Sequence, residues 1–396
     1  MTDAAPQIAP ILERALAGEP PGAAEVEALL ATRDPGAAAE LFAAASELRR
    51  RHFGDAVFLY GFVYFSTYCR NDCTFCLYRA SNPDGPRYRK SLDEVVAVSV
   101  GLAESGVHLI DLTMGEDPLY GAGAGGGGGP GAGEGVREGE TPDGPEGEGG
   151  GPGGREFEAL VALVVAVKAA TGLPVMVSPG VVPARGLAAL AATGAEWYAC
   201  YQETHARTLY GRLRIGQDFD ERARARLDAA RLGMLVEDGA LLGVGETLAD
   251  RALTVTTMRE EPIDQVRVMT FVPQPGTPLA GVPPSPRLAE LVTIATMRLV
   301  MPDRLIPASL DVDGIAGLES RIAAGANVVT SLVPPHSGLV GVSQSELDID
   351  EGLRTAPVVT ERLATAGLRV ATATEYADWV AAARERRGAT ARRGAP

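Results

Sequence analysis

Three of the chain's four cysteines, Cys69, Cys73 and Cys76, stand within eight residues of one another in STYCRNDCTFCLYR. Core cysteines rarely gather in a polar loop such as CRNDC, and the clustering argues for a metal centre in a reducing compartment rather than a disulfide framework. The spacing C-x3-C-x2-C forces a tight loop that can wrap one corner of an iron–sulfur cubane. A cubane held by three thiolates leaves its fourth iron for a ligand from outside the protein. An all-cysteine zinc site would need Cys200, which lies in a strand-like run without a second CxxC partner and reads better as a small core residue. Two further residues interrupt apolar runs: Asp111 in HLIDLTMG and Arg267 in QVRVMTF. A charge in such a strand is costly unless it is paired, so both are candidates for a site.

These residues need a scaffold, and the apolar pattern supplies one. Strand-like runs occur at Ala56–Phe65, Val107–Thr113, Pro174–Ser178, Trp197–Gln202, Met234–Val244, Gln265–Phe271, Arg304–Ala308 and Asn327–Ser331. Amphipathic helical stretches separate them, which is the pattern of an α/β (β/α)8 TIM-type barrel; an open doubly wound sheet is the alternative. The barrel is expected over residues 55–350. An N-terminal helical extension (1–54) precedes it, and C-terminal helices (351–396) follow, with a basic tail expected to fray beyond about Arg384. The cysteine loop then opens from the C-terminal end of the first strand, where barrel chemistry sits. Residues 121–155 are dominated by glycine and have almost no apolar content. That segment is expected to be a disordered insert, either tolerated or acting as a lid, because it cannot bury enough surface to offset its ordering entropy.

With 396 residues, 46% of them hydrophobic, the chain can build a large core without disulfides or structural zinc. The first residues lack the basic and apolar regions of a signal peptide, and no apolar run approaches the ~20 residues of a membrane span. The expectation is a soluble cytoplasmic protein with no membrane partner. A net charge of −15 also speaks against a nucleic-acid surface, which relies on clustered Lys and Arg.

The cysteine loop resembles the signature of the radical S-adenosylmethionine (SAM) superfamily, down to Phe75, the aromatic before its last cysteine. That resemblance implies a [4Fe–4S] cluster on Cys69, Cys73 and Cys76, with SAM on the open iron. Met114–Gly115–Glu116, after the second strand, resembles the GGE motif that meets the SAM amino group, with Met in place of one glycine. Glu203 in Gln202–Glu203–Thr204, after the fourth strand, and Arg222 on the following helix are candidates for the SAM ribose or ammonium and its carboxylate. LLGVGET resembles the loop on which adenine rests, with Gly243 and Gly245 permitting close approach. Leu77 stands where an aromatic is frequent, so the cluster's surroundings could differ.

Within the superfamily, YGFVYFSTYCRNDCTFC, QVRVMTFVPQPGTPL and MPDRLIPASLDVDGIAGLESRIAAGANVVTSLVPP resemble the methylornithine synthases of pyrrolysine biosynthesis, relatives of biotin synthase and of a hydrogenase maturase. The resemblance covers roughly Val26–Ala381 apart from the glycine-rich insert. It implies a lysine mutase in which a 5′-deoxyadenosyl radical takes a side-chain hydrogen from L-lysine. A glycyl fragment then leaves and re-adds, giving (3R)-3-methyl-D-ornithine. An electron donor such as flavodoxin or ferredoxin is implied as partner. By matching position, Arg267, Ser309 and Asp311 would bind the α-carboxylate and α-amino groups, and Asp111 the side-chain ammonium. A zwitterion with an extra ammonium does need a fixed cation and about two carboxylates in a dry site. Asp311 could instead cap a helix near Gly314, the lesser alternative, and Ser309 is the least distinctive. Two alternatives stay open: another biotin-synthase-like or maturase-like enzyme acting on a different amino acid, and a non-catalytic iron–sulfur scaffold. An auxiliary [2Fe–2S] cluster lacks cysteines, since Cys200 is the one to spare.

Overall fold

A computed structural model describes residues 8–120, 157–341 and 348–393. The glycine-rich insert expected at 121–155 lies outside the described residues. Three helices lead the chain: α1 (Ala9–Leu16), α2 (Ala23–Leu30) and α3 (Pro35–Phe53). Helix α3 starts as its sequence dictates, with Asp34 accepting from the Ala37 amide and Pro35 in the first turn, and it stops at Gly54, whose φ is +61°. All three helices pack against the outside of the barrel, joined to its outer helices through Leu41, Ala45, Val292 and Leu299.

Eight parallel strands follow: β1 (Ala56–Ser66), β2 (Leu109–Met114), β3 (Val175–Ser178), β4 (Trp197–Ala199), β5 (Leu235–Leu242), β6 (Gln265–Thr270), β7 (Pro307–Ser309) and β8 (Val328–Leu332). Between them run α4 (Leu92–Glu104), α5 (Glu158–Thr171), α6 (Ala184–Ala192), α7 (Arg207–Leu213), α8 (Phe219–Arg231), α9 (Leu248–Glu260), α10 (Arg287–Val300) and α11 (Leu318–Ala323). The strand order is β6-β5-β4-β3-β2-β1-β8-β7, and a parallel bridge from Gln265 to Leu305 links the β6 and β7 ends. First and last strands are neighbours and the order never reverses, which excludes the doubly wound sheet and identifies the (β/α)8 barrel. Every residue of β1 is buried, as expected of a strand covered on both faces.

The N-terminal mouth of the barrel is closed by the end of the chain. After α12 (Ala356–Thr365), β9 (Arg369–Val370) pairs with the start of β1, and α13 (Ala373–Arg393) crosses the opening. Tyr376 Oη accepts from Trp197 Nε1 at 3.0 Å and shares a hydrogen bond with Tyr60 Oη at 3.1 Å. Trp379 stacks on Trp197 at 6.0 Å between ring centres. Arg386 pairs with Asp303 at 3.0 Å and Arg387 pairs with Asp264, which ties the helix to the barrel past Arg384. The ion pairs supply the anchorage that a basic composition alone does not reveal.

Candidate active site

The C-terminal mouth holds a cavity of about 200 Å³, open to solvent, and all three clustered cysteines line it. Their loop is fixed mainly through backbone groups. The Arg70 amide donates to the Glu116 carbonyl at 3.0 Å, and the Thr74 amide to that of Leu213 at 2.8 Å. The Arg87 guanidinium donates to the carbonyls of Thr67 and Tyr78 at 2.6 and 2.8 Å. Gly115 lets β2 close onto this loop: a Cβ there would lie 2.3 Å from the Tyr68 carbonyl oxygen. Burial, with neighbouring thiols adding to it, pushes Cys69 up to about 11 and Cys76 higher still. Three soft sulfurs converge here, in surroundings that disfavour isolated thiolates, and Cys73 Sγ accepts from Gln217 Nε2 at 3.1 Å. This donor set fits an iron–sulfur cluster, whose iron charge would stabilise the thiolate form.

Beside the cysteines lies a network of paired charges. Glu116 receives Arg222 at 2.8 Å, Arg70 at 3.3 Å and the Val181 amide at 3.1 Å. Burial pushes its carboxyl up, but Arg222 and the other donors prevail and hold it low. Glu203 has a left-handed backbone (φ +67°) and meets Arg214 at 2.7 Å. Burial outweighs that arginine and raises Glu203. Arg214 also donates to the Tyr201 carbonyl at 3.0 Å and approaches Cys73 Sγ at 3.6 Å. Of the residues expected to meet SAM, Met114, Gly115, Glu116, Glu203 and Arg222 line the cavity and Gly243 does not. Gly243 turns the chain at φ +88° and donates to Glu246, while Ala240 and Leu241 line the wall there. Arg214 and Gln217 went unrecognised in the sequence.

Deeper in the cavity lie Asp111 on β2 and Arg267 on β6. Arg267 Nε donates to Glu237 Oε1 at 2.6 Å and Nη1 to Thr330 Oγ1 at 3.1 Å. Glu237, on β5, is fully buried and also accepts from Tyr201 Oη at 3.2 Å. Gly239 makes room for this group, because a Cβ there would lie 2.9 Å from the Tyr201 ring. Burial raises Asp111 to about 7, with Glu237 pushing the same way and Arg267 and a 3.0 Å bond from Thr113 opposing. Arg267 is held charged: burial lowers it, and Glu237 more than restores it.

Ser309 and Asp311 sit at the end of β7, buried and outside the cavity lining. Asp311 accepts from Ser331 Oγ at 2.7 Å and from Arg354 Nη1 at 3.2 Å. The structure thus brings Asp111 and Arg267 into one cavity with the cysteines, and sets Ser309 and Asp311 behind it. Cys200, 2% exposed, contacts Arg222 Nη1 at 3.3 Å and lines the wall beside the network.

Known proteins resemble this chain in sequence and in fold. Residues 63–258 match the model of the radical SAM superfamily. The 3-methylornithine synthase of Methanosarcina barkeri is 41% identical over 85% of this chain and 86% of its own length. A crystal structure of a methylornithine synthase superposes with a TM-score of 0.81 and 37% identity, covering 93% of this chain and 99% of the other. A hydrogenase maturase subunit of Thermotoga maritima is 28% identical over 76% of this chain and 77% of its own.

Proposed function

Because the chain belongs to the 3-methylornithine synthase family of the radical SAM superfamily, we propose that it is a mutase converting L-lysine to (3R)-3-methyl-D-ornithine. The observation that carries this reading is the presence of both Asp111, on β2, and Arg267, on β6, in the cavity lined by Cys69, Cys73 and Cys76. A scaffold that only stores iron and sulfur has no use for such a pair.

Cys69, Cys73 and Cys76 would hold the [4Fe–4S] cluster, and Glu116, Glu203 and Arg222 would surround SAM on its cavity side. Bound there, cluster and SAM together supply the reducing electron and the radical that abstracts hydrogen. A one-electron donor such as flavodoxin or ferredoxin is the partner this chemistry asks for. The chain's own task is to hold an amino acid still. Arg267 takes the α-carboxylate, as a guanidinium suits a planar two-oxygen acceptor. Asp111 accepts from the side-chain ammonium, and the new positive charge favours its ionised form. We assign the α-amino group to Asp311 with Ser309, Asp311 keeping Arg354 as its buried partner. Clamps at both ends keep two fragments together until they recombine, which is where orientation is worth most.

A biotin-synthase-like reaction with an auxiliary cluster is disfavoured, because Cys200 is the sole cysteine outside the loop and is buried against Arg222. No helix among the described residues is long and apolar enough to cross a membrane. The reading is tested by incubating reconstituted enzyme with SAM, a reductant and lysine. The expected products are 5′-deoxyadenosine and a lysine isomer separable by chromatography at unchanged mass. Slow deoxyadenosine release with lysine returned intact would count against the mutase.

A further inference from the structure

The buried carboxylate of Glu237 touches neither the cysteine loop nor the groups assigned to SAM, and the reaction outlined above gives it no part. It is fully buried on β5, with one oxygen 2.6 Å from Arg267 Nε and the other 3.2 Å from Tyr201 Oη. Anchoring a guanidinium through Nε fixes its plane and leaves the Nη edge to face elsewhere. Here Nη1 reaches Thr330 at 3.1 Å, while Nη2 has no hydrogen-bond partner among the described residues, and Arg267 lines the cavity. The Tyr201 ring lies 5.6 Å from the guanidinium carbon, in space that Gly239 leaves open. Arg267 is therefore held from behind by an acid and a ring.

Charge gives a second argument. Asp311 is answered by Arg354, and both are fully buried. Glu116 is answered by Arg222 and Glu203 by Arg214. Among the inward charges of β2, β5 and β6, Asp111 and Glu237 face a single cation, Arg267. Once Asp111 is ionised the cavity floor carries one negative charge in excess. A neutral zwitterion would leave that excess uncompensated in a poorly solvated site, which is costly. An amino acid with a second ammonium cancels it. A buried ion pair contributes little to stability compared with apolar packing of similar size, so stability alone does not explain placing an acid here.

We propose that Glu237 is a positioning and specificity-determining residue: it aims Arg267 at the substrate carboxylate and sets the cavity's charge so that a cationic amino acid is selected over a neutral one. The inference rests on reading the cavity as an amino-acid site. Its test measures the dissociation constants of lysine and of norleucine, which lacks the side-chain ammonium, on cluster-loaded, SAM-bound wild type, Glu237→Gln and Glu237→Asp. In Glu237→Gln the preference for lysine over norleucine should shrink by about 10- to 100-fold, with the cluster absorbance retained. Glu237→Asp keeps the charge but falls short of Arg267. It should bind both amino acids more weakly while holding the preference within about threefold of wild type.

An unchanged preference in Glu237→Gln overturns the proposal. If that variant fails to fold, Glu237→Asp decides alone: a collapsed preference there overturns it as well. A wild-type enzyme indifferent to lysine removes both this proposal and the mutase reading, whereas wild-type lysine selectivity that survives Glu237→Gln removes only the role of Glu237.

Discussion

One barrel presents two unlike mouths. At the N-terminal mouth Phe58, Tyr60, Trp197, Tyr376 and Trp379 fill the opening, and the polar tips of the two tyrosines and Trp197 satisfy one another. His108 belongs to the same end: its Nδ1 accepts from the Leu59 amide at 3.0 Å and its Nε2 meets the Ala371 carbonyl at 2.8 Å. Burial lowers its proton affinity, in keeping with a neutral ring held by those two bonds. At the C-terminal mouth, Asp111, Glu237 and Arg267 extend from the same sheet into a cavity, and burial raises the Asp111 carboxyl to about 7. The contrast separates two tasks. The plugged end closes the barrel with packed rings whose polar tips, Trp379 Nε1 excepted, are hydrogen-bonded, while the open end keeps costly groups whose compensation is completed by a ligand.

If the two ends are separable, changes at each should affect different measurements. The largest effect is expected from Arg267→Met. Lysine affinity should fall by about 100-fold in a titration of the SAM-bound enzyme, with the iron–sulfur absorbance preserved. The same change leaves Glu237 buried without its cation, so the melting temperature should drop, and Arg267→Met/Glu237→Gln should recover stability without recovering lysine. A colourless Arg267→Met protein would mean that the cavity floor supports the cluster loop, and the separation would fail.

Tyr376→Phe probes the other mouth. It strips the acceptor from Trp197 Nε1 and the partner from Tyr60, which should cost about 2 kcal/mol in denaturant unfolding. Lysine affinity and deoxyadenosine yield should stay at wild-type values, and a parallel loss of activity would show that the two ends are coupled.

The mildest test is pH. Asp111 must be ionised to accept an ammonium, and its carboxyl in the free site sits at about 7. Lysine binding favours the ionised form and so lowers this value in the complex. Affinity should therefore be nearly flat above pH 7 and decline as pH falls below it, by up to about tenfold per unit. Norleucine affinity should lack that acid limb.

Much of the scaffold was legible because both faces of a barrel strand are covered, so each strand reads as a largely apolar run, although β4 and β7 are shorter than their runs suggest. The cysteines were legible because three thiols in a polar loop have few other uses. Asp111 and Arg267 stood out as single charges inside apolar runs. Glu237 was not recognised, although it sits in MLVEDGALL, because two adjacent acids give no sign of which faces the barrel interior. The strand's alternation decides it: Glu237 turns to Arg267 and Tyr201, while Asp238 turns to Arg226 and His205 under the outer helices. Arg214 was hidden for a similar reason. It follows the exposed Arg212 by two residues, and only the turn after α7 buries it against Glu203. The partner of α13 could not be read locally, because Tyr376 meets Tyr60 and Trp197 from 316 and 179 residues away in sequence.

On the proposed reading, the mouth lined by Cys69, Cys73 and Cys76 performs radical chemistry on a lysine clamped by Asp111 and Arg267. The most direct test is lysine carrying deuterium along the side chain, incubated with reconstituted enzyme, SAM and reductant. Deuterium is expected in the recovered 5′-deoxyadenosine together with a labelled isomer of lysine. Deoxyadenosine free of deuterium, formed at the same rate with or without lysine, would contradict that reading.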